Sequence, residues 1–74
     1  MADFILFGTD GCHLCEEAEA LLLEAGLSFE TRDIIDDEQA QQLYAVRIPV
    51  LLHPETGREL GWPFDAQQLS KFVR

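Results

Sequence analysis

The chain has 74 residues and a hydrophobic fraction of 47%, which suits one small globular domain and is too apolar for a disordered segment. Its 14 Asp and Glu residues against 5 Lys and Arg give a net charge of −9. Such an acidic surface repels nucleic acid and anionic membranes, so we expect neither as a partner. No apolar run is long enough to cross a membrane, and no signal peptide is recognisable at the N-terminus. We therefore expect a single domain over residues 1–74, monomeric and cytoplasmic.

The first half of the chain predicts strand, helix and strand. Residues 3–7 contain the apolar run 4–7 and stop at Gly8, which is typical of a buried strand. Residues 13–25 predict a helix with Gly26 just past its end. Its predicted inward face has helical periodicity and consists of Leu14, Ala18, Leu21, Leu22 and Ala25. Residues 27–33 alternate apolar and polar side chains, as expected for a second strand.

The second half predicts helix, hairpin and helix. Asp36 and Gln39 have the spacing of a capping box and would open a helix that ends before Pro49. Its predicted inward residues are Ala40, Leu43 and Tyr44. Residues 50–53 and 58–61 predict two strands joined by a four-residue turn. Asp65 and Gln68 predict a second capping box, which opens a last helix with Leu69, Phe72 and Val73 inward.

The resulting order, β-α-β-α-β-β-α, predicts an α/β fold. The first two strands should be parallel, joined by a right-handed crossover, and the hairpin adds antiparallel strands. We expect a four-stranded mixed sheet with helices on both faces.

The only two cysteines, Cys12 and Cys15, form a C-x-x-C motif between the first strand and the first helix. Without a secretion signal, this pair indicates redox chemistry or metal binding. The first turn of a helix carries unpaired N–H groups and a partial positive charge, which stabilise a thiolate at Cys12. Cys15 lies nearly one turn further along and should be more buried. This asymmetry suits thiol–disulfide exchange, in which Cys12 attacks a disulfide and Cys15 then resolves the mixed disulfide.

Other uses of the two cysteines stay open at this point. His13 lies between them, and its protonated form would favour a thiolate at Cys12. A structural zinc site needs two more ligands, and only His53 is available at a distance. Two thiolates also suit Cu(I), although small copper-carrying domains have a different order of elements. An inert buried pair is the remaining alternative.

Over nearly its whole length the chain resembles the thioredoxin superfamily, and within it the glutaredoxins and their short glutaredoxin-like relatives. The residues that carry the resemblance are Gly11–Cys15 after the first strand, Ile48-Pro49 before the third, and the hairpin followed by the helix that Asp65 opens. The resemblance implies a thioredoxin-like fold of the glutaredoxin type. It also implies a dithiol oxidoreductase without a bound prosthetic group, which reduces protein or glutathione mixed disulfides, with glutathione as a candidate electron donor.

The resemblance further assigns substrate-binding residues. It implies that the Ile48–Pro49 peptide bond is cis, that Pro49 packs beside the active-site disulfide, and that the backbone of Ile48 pairs with an extended substrate. Arg47 is the basic residue placed to offset the negative charge of glutathione. Trp62 is expected either in the wall of a substrate groove or in the packing of the last helix. His13-Leu14 replaces the Pro-Tyr or Pro-Phe of glutaredoxins, so dithiol chemistry carries over better than glutathione specificity.

We therefore predict a thiol–disulfide oxidoreductase with Cys12 as nucleophile, Cys15 as resolving thiol and no metal. The predicted substrate-binding residues are His13, Arg47, Ile48, Pro49 and Trp62. The alternative is a protein of the same fold that binds a metal, as Cu(I), Zn(II) or an Fe–S cluster, or that binds a partner without catalysis.

Overall fold

A computed structural model describes residues 2–73. The order of elements is the predicted one, with a short 3₁₀ helix added at Ile34–Asp36. The strands are β1 (Phe4–Gly8), β2 (Phe29–Asp33), β3 (Val50–His53) and β4 (Arg58–Gly61). The α-helices are α1 (His13–Glu24), α2 (Glu38–Tyr44) and α3 (Ala66–Phe72). Within residues 2–73 no helix is both long and apolar enough to span a bilayer.

The four strands form one mixed sheet in the order β2-β1-β3-β4. β1 and β2 are parallel, with Phe4 opposite Phe29 and Gly8 opposite Asp33. β3 is antiparallel to both β1 and β4. The carboxyl ends of β1 and β2 therefore meet at one end of the sheet, next to the start of β3.

Helices cover both faces of the sheet, as predicted, and β1 is therefore buried on both sides. Its side chains alternate between two apolar clusters, with Phe4 and Leu6 in one and Ile5 and Phe7 in the other. The first cluster packs β1 against α1 and α3, through Ala18, Leu22, Leu69 and Phe72. The second packs it against the 3₁₀ helix and α2, through Ile34, Ala40 and Tyr44.

The helix caps confirm one prediction and correct another. Asp65 accepts from the Gln68 N–H at 2.8 Å while the Gln68 side chain accepts from the Asp65 N–H at 3.1 Å, which is the predicted capping box of α3. The prediction that Asp36 caps α2 is wrong. Asp36 ends the 3₁₀ helix, and the next residue, Asp37, accepts from the N–H groups at the start of α2.

Three residues that were predicted to face inward are exposed. Leu14 is 44% exposed and Leu43 is 53% exposed, and Ala25 lies just past the end of α1 at the surface. The buried stripe of α1 starts at Cys15 rather than at Leu14, so that the stripe turns towards the end of β1. In α2, which has only seven residues, Ala40 and Tyr44 already fill the contact with the sheet.

Candidate functional site

The dithiol lies where β1 turns into α1. The chain leaves β1 at Gly8, and Gly11 adopts a positive φ of 76°, a conformation that residues with a Cβ rarely adopt. The Cys12 N–H then donates to the Thr9 carbonyl at 3.4 Å. This turn places Cys12 at the N-cap of α1, with extended backbone angles, and Cys15 inside the first turn.

The sulfur of Cys12 is itself the cap of the helix. Its Sγ accepts from the Cys15 N–H at 3.2 Å, while its carbonyl accepts from the Glu16 N–H at 3.1 Å. The N–H groups and the partial positive charge of the helix start are thus directed at the sulfur. Cys12 is partly exposed, and both cysteines are free thiols. The sulfur at the start of α1 is therefore open to a disulfide from solution.

Cys15 is buried behind Cys12 in the first turn of α1. Burial, followed by the hydrogen bond between the Cys15 thiol and Cys12, raises the pKa of Cys15 to about 11. The charge of Asp33 acts in the same direction. The buried thiol thus stays protonated while Cys12 is partly exposed, and the prediction that Cys15 is the more buried of the two is confirmed.

Gly8 permits this burial. A Cβ placed on Gly8 would lie 2.9 Å from the Cys15 Sγ and 3.1 Å from the Cys15 Cβ, closer than side-chain atoms pack. The last residue of β1 must therefore lack a side chain if α1 is to bring Cys15 against the sheet.

A cavity of about 350 Å³ opens beside the two sulfurs. Loop 9–11, the first two turns of α1 and the end of β2 form its walls. Its charged lining residues are Asp10, Glu16, Glu19, Asp33 and Arg32. The Ile35 N–H is the main cause that lowers the pKa of Asp33, with further hydrogen bonds from Thr9 and from the backbone of Asp10. Asp33 therefore connects the end of β2 to the loop that carries Cys12.

The predicted residues Ile48, Pro49 and Trp62 lie at the same end of the sheet as the dithiol. Phe7 pairs with Val50, so Pro49 lies next to the point where β1 leads into the dithiol loop. The Ile48–Pro49 bond is cis, as the resemblance implied, and Pro49 is fully buried. The Trp62 N–H donates to the Pro49 carbonyl at 3.2 Å, and the Trp62 ring packs edge-on against Phe64. The Ile48 N–H donates to the Tyr44 carbonyl at 3.0 Å and is thus used within the protein.

His13 and Arg47 both lie beside acidic side chains. The ring nitrogens of His13 are 3.9 Å from Glu16 and 3.9 Å from Glu17, all three at the surface. The Arg47 guanidinium lies 3.6 Å from Glu59 and 5.7 Å from the ring centroid of Tyr44. Neither residue lines the cavity.

The sequence reasoning missed the residues that reach the cavity from β2 and from the second turn of α1. These are Thr31, Arg32, Asp33 and Glu19. The parallel pairing of β1 and β2 was predicted, and it places the end of β2 beside the dithiol loop; that was the available signal. His53 contacts Phe4 and Thr56 at the opposite end of the sheet, away from the two sulfurs. Within residues 2–73, no three His, Cys, Asp or Glu side chains converge on a point that suits a metal ion.

Comparison with known proteins identifies the family. The model of the glutaredoxin-like domain (DUF836) matches residues 3–74, so the chain belongs to this family. No curated protein sequence matches the chain.

Solved structures agree with this assignment. The crystal structure of protein XcR50 from X. campestris is 41% identical, with a TM-score of 0.86 over 95% of this chain and 93% of that one. Protein Ne2328 from Nitrosomonas europaea is 29% identical, with a TM-score of 0.82 over 96% and 89%. A glutaredoxin from Archaeoglobus fulgidus is 19% identical with a TM-score of 0.72 over 100% and 88%, which shows that the fold is shared. The fold is therefore the glutaredoxin type of the thioredoxin fold.

Proposed function

We propose that this protein is a thiol–disulfide oxidoreductase that reduces disulfides by means of Cys12 and Cys15. The observation that carries the proposal is the hydrogen bond that the Cys15 N–H donates to the Cys12 Sγ at 3.2 Å. The Cys15 thiol is buried behind that sulfur. The Cys12 sulfur is partly exposed at the start of α1, and the Cys15 sulfur lies in the first turn of the same helix and is held as a thiol.

The reaction has two exchange steps. The Cys12 thiolate attacks one sulfur of a substrate disulfide, forms a mixed disulfide and expels the other sulfur as a thiolate. Cys15 then loses its proton to solvent and attacks the Cys12 sulfur, which forms the 12–15 disulfide and expels the second substrate thiolate. The two protein thiols lose two electrons and two protons, and the substrate disulfide gains them and becomes two thiols. A thiol reductant must return the 12–15 disulfide to the dithiol for the next turnover.

The raised pKa of Cys15 bears on the second exchange step, in which Cys15 attacks the Cys12 sulfur. Burial, the largest cause, persists in the mixed disulfide, whereas the contributions of Cys12 disappear once its sulfur is bonded. Formation of the mixed disulfide therefore makes Cys15 a stronger acid than it is in the free dithiol.

The substrate would dock at the end of the sheet that holds Cys12, between Cys12 on one side and Ile48, Pro49 and Trp62 on the other. We propose no bound prosthetic group, and we propose that the protein acts in the cytoplasm as a monomer on disulfide-containing proteins or small disulfides. Pro49 is placed for this docking by its buried position next to the dithiol loop. The Ile48 backbone would offer its carbonyl rather than its N–H to the substrate, because Tyr44 already accepts from that N–H.

Equilibration in glutathione redox buffers, followed by alkylation and intact mass, tests the proposal. We expect a two-electron transition from the dithiol to a 12–15 disulfide at a potential near the cytosolic range of about −220 to −320 mV. Cys12→Ser should abolish exchange, and Cys15→Ser should accumulate a mixed disulfide on Cys12. If both thiols stay reduced across the range, or if Cys12→Ser exchanges as fast as the native protein, the proposal is wrong.

A further inference from the structure

The cavity beside the dithiol is strongly acidic. Among the described residues, four carboxylates and one guanidinium line it. Asp10 and Glu16 flank Cys12 in the chain, and Glu19 follows one turn later on the same side of α1. Asp33 faces them from the end of β2 and keeps its charge, because N–H groups lower its pKa. A substrate whose disulfide reaches Cys12 therefore comes within a few ångströms of these carboxylates.

The nearby cations do not offset this charge. Arg32, which also lines the cavity, donates two hydrogen bonds to Glu30, at 3.0 and 2.7 Å. Arg47, the residue expected to offset the negative charge of glutathione, lies against Glu59 and the Tyr44 ring. Each guanidinium group therefore already has an acidic partner, and neither partner belongs to the cavity lining.

We infer that the dithiol selects disulfides that carry positive charge next to the sulfur–sulfur bond, and that it disfavours anionic ones such as glutathione disulfide. This inference rests on the proposed function and names its substrate class. Ammonium or guanidinium groups beside the substrate cysteine would lie among Asp10, Glu16 and Glu19, whereas the carboxylates of glutathione would be repelled there. The exchange steps are those given above; the charge acts on the approach of the substrate and on the lifetime of the mixed disulfide.

The test is a set of single-turnover reductions by the pre-reduced protein. The substrates are the symmetric disulfides of three blocked tripeptides, Arg-Cys-Arg, Gln-Cys-Gln and Glu-Cys-Glu, together with glutathione disulfide and cystamine. Each rate constant is divided by that of dithiothreitol with the same disulfide, because flanking charge also changes the intrinsic reactivity of the bond. At low salt we expect a preference of about tenfold or more for the arginine over the glutamate peptide, shrinking several-fold at high salt.

Matched charge variants separate the cavity from the overall charge of the protein. Asp10→Asn, Glu16→Gln and Glu19→Gln, combined in one protein, should remove most of the preference. Glu24→Gln, Glu38→Gln and Glu55→Gln, combined in the control protein, change the net charge equally outside the cavity lining and should keep the preference. Equal loss in both variants would overturn the assignment to the cavity. The salt dependence of the native protein tests the charge selectivity without any substitution.

The outcomes distinguish this inference from the function on which it rests. If none of the disulfides is reduced, the proposed function itself is wrong. If all are reduced with equal normalised rates, or glutathione disulfide is fastest, the function stands and the inference is overturned. The arginine peptide exceeding cystamine would indicate a basic polypeptide as the source of the charge. The reverse order would indicate a small amine disulfide, and both orders support selection for positive charge.

Discussion

Gly8 lies against the Cys15 thiol, and its lack of a side chain is a specific requirement of this contact. In Gly8→Ala the new Cβ would meet the Cys15 Sγ at 2.9 Å, so that β1 or α1 must shift. We expect a loss of about 1–3 kcal/mol in the free energy of unfolding, the usual range for overpacking a buried contact. Urea denaturation measures it.

Gly61→Ala is the matched control for this substitution. Gly61 also ends a strand, and a Cβ added there meets no atom within 4 Å. If the two variants unfold at the same urea concentration, the close approach of Gly8 and Cys15 is not a constraint on the fold.

Cys15 gives a second prediction at this scale, on the pH dependence of the resolving step. Its pKa is raised above the ordinary 9.0, with burial as the main cause, so its thiolate fraction grows about tenfold per pH unit through the neutral range. In a protein with thionitrobenzoate attached to Cys12, release of the chromophore by Cys15 should accelerate up to at least pH 9. Cys15→Ser should retain the chromophore. A rate that levels off near pH 7 would show that burial does not control this thiol.

The dithiol could be located from sequence because its signal is local. A C-x-x-C after a strand and at the start of a helix specifies its own surroundings within a few residues. The contact of Gly8 with Cys15 could not be predicted, because it depends on how α1 packs against the sheet. The same holds for Asp33, whose side chain reaches the dithiol loop only through the pairing of β1 with β2.

At the scale of the helix, the cap of α2 tests a one-residue correction. Asp37 accepts from the N–H groups of Gln39 and Ala40 at 3.0 and 3.1 Å. We expect Asp37→Ala to lower the free energy of unfolding by about 1 kcal/mol, the typical value for loss of an N-cap. Asp36→Ala, one residue earlier and exposed, should change it by less than about 0.5 kcal/mol. Thermal unfolding of both proteins provides the measurement, and equal losses would contradict the capping geometry.

This correction shows why helix starts are hard to place from sequence. Residues 36 and 37 are both Asp, and only Asp36 has a Gln three residues later, as a capping box requires, yet Asp37 forms the cap. The choice between them is made by Asp33, which caps the 3₁₀ helix from the end of β2 and extends that helix through Asp36. At Asp65, where no such competitor precedes the helix, the sequence located the capping box correctly.

At the scale of the whole molecule, the fold could be predicted because the alternation of strands and helices leaves few arrangements. A parallel pair joined by a helix and followed by a hairpin leads to the observed sheet order. What the sequence could not supply is the set of contacts between distant segments. The Tyr44 hydroxyl in α2 donates a hydrogen bond to Glu59 in β4. The Tyr44 ring stacks on Phe7 in β1, with ring centroids 4.8 Å apart. It links three elements on one face of the sheet.

Because of Tyr44, we expect the free energy of unfolding to fall in alkaline solution. Burial, the hydrogen bond to Glu59 and the charge of Glu59 raise its pKa from 10.0 to about 12. Between these values the unfolded chain has lost the phenolic proton while the folded protein retains it, so stability falls as pH rises. The loss is at most about 1.4 kcal/mol per pH unit, and about 2 kcal/mol across the window. Below pH 10 the full contribution is present.

Replacing this hydroxyl should remove that dependence. In a background with both cysteines changed to serine, which eliminates thiol titration, Tyr44→Phe should lose about 1 kcal/mol at pH 8 with its hydrogen bond to Glu59. It should lose less than its parent when the pH rises from 10 to 12. The two urea midpoints should therefore converge in strongly alkaline solution. Parallel pH profiles would mean that Tyr44 titrates alike in the folded and unfolded chains, and that the contact with Glu59 does not hold its proton.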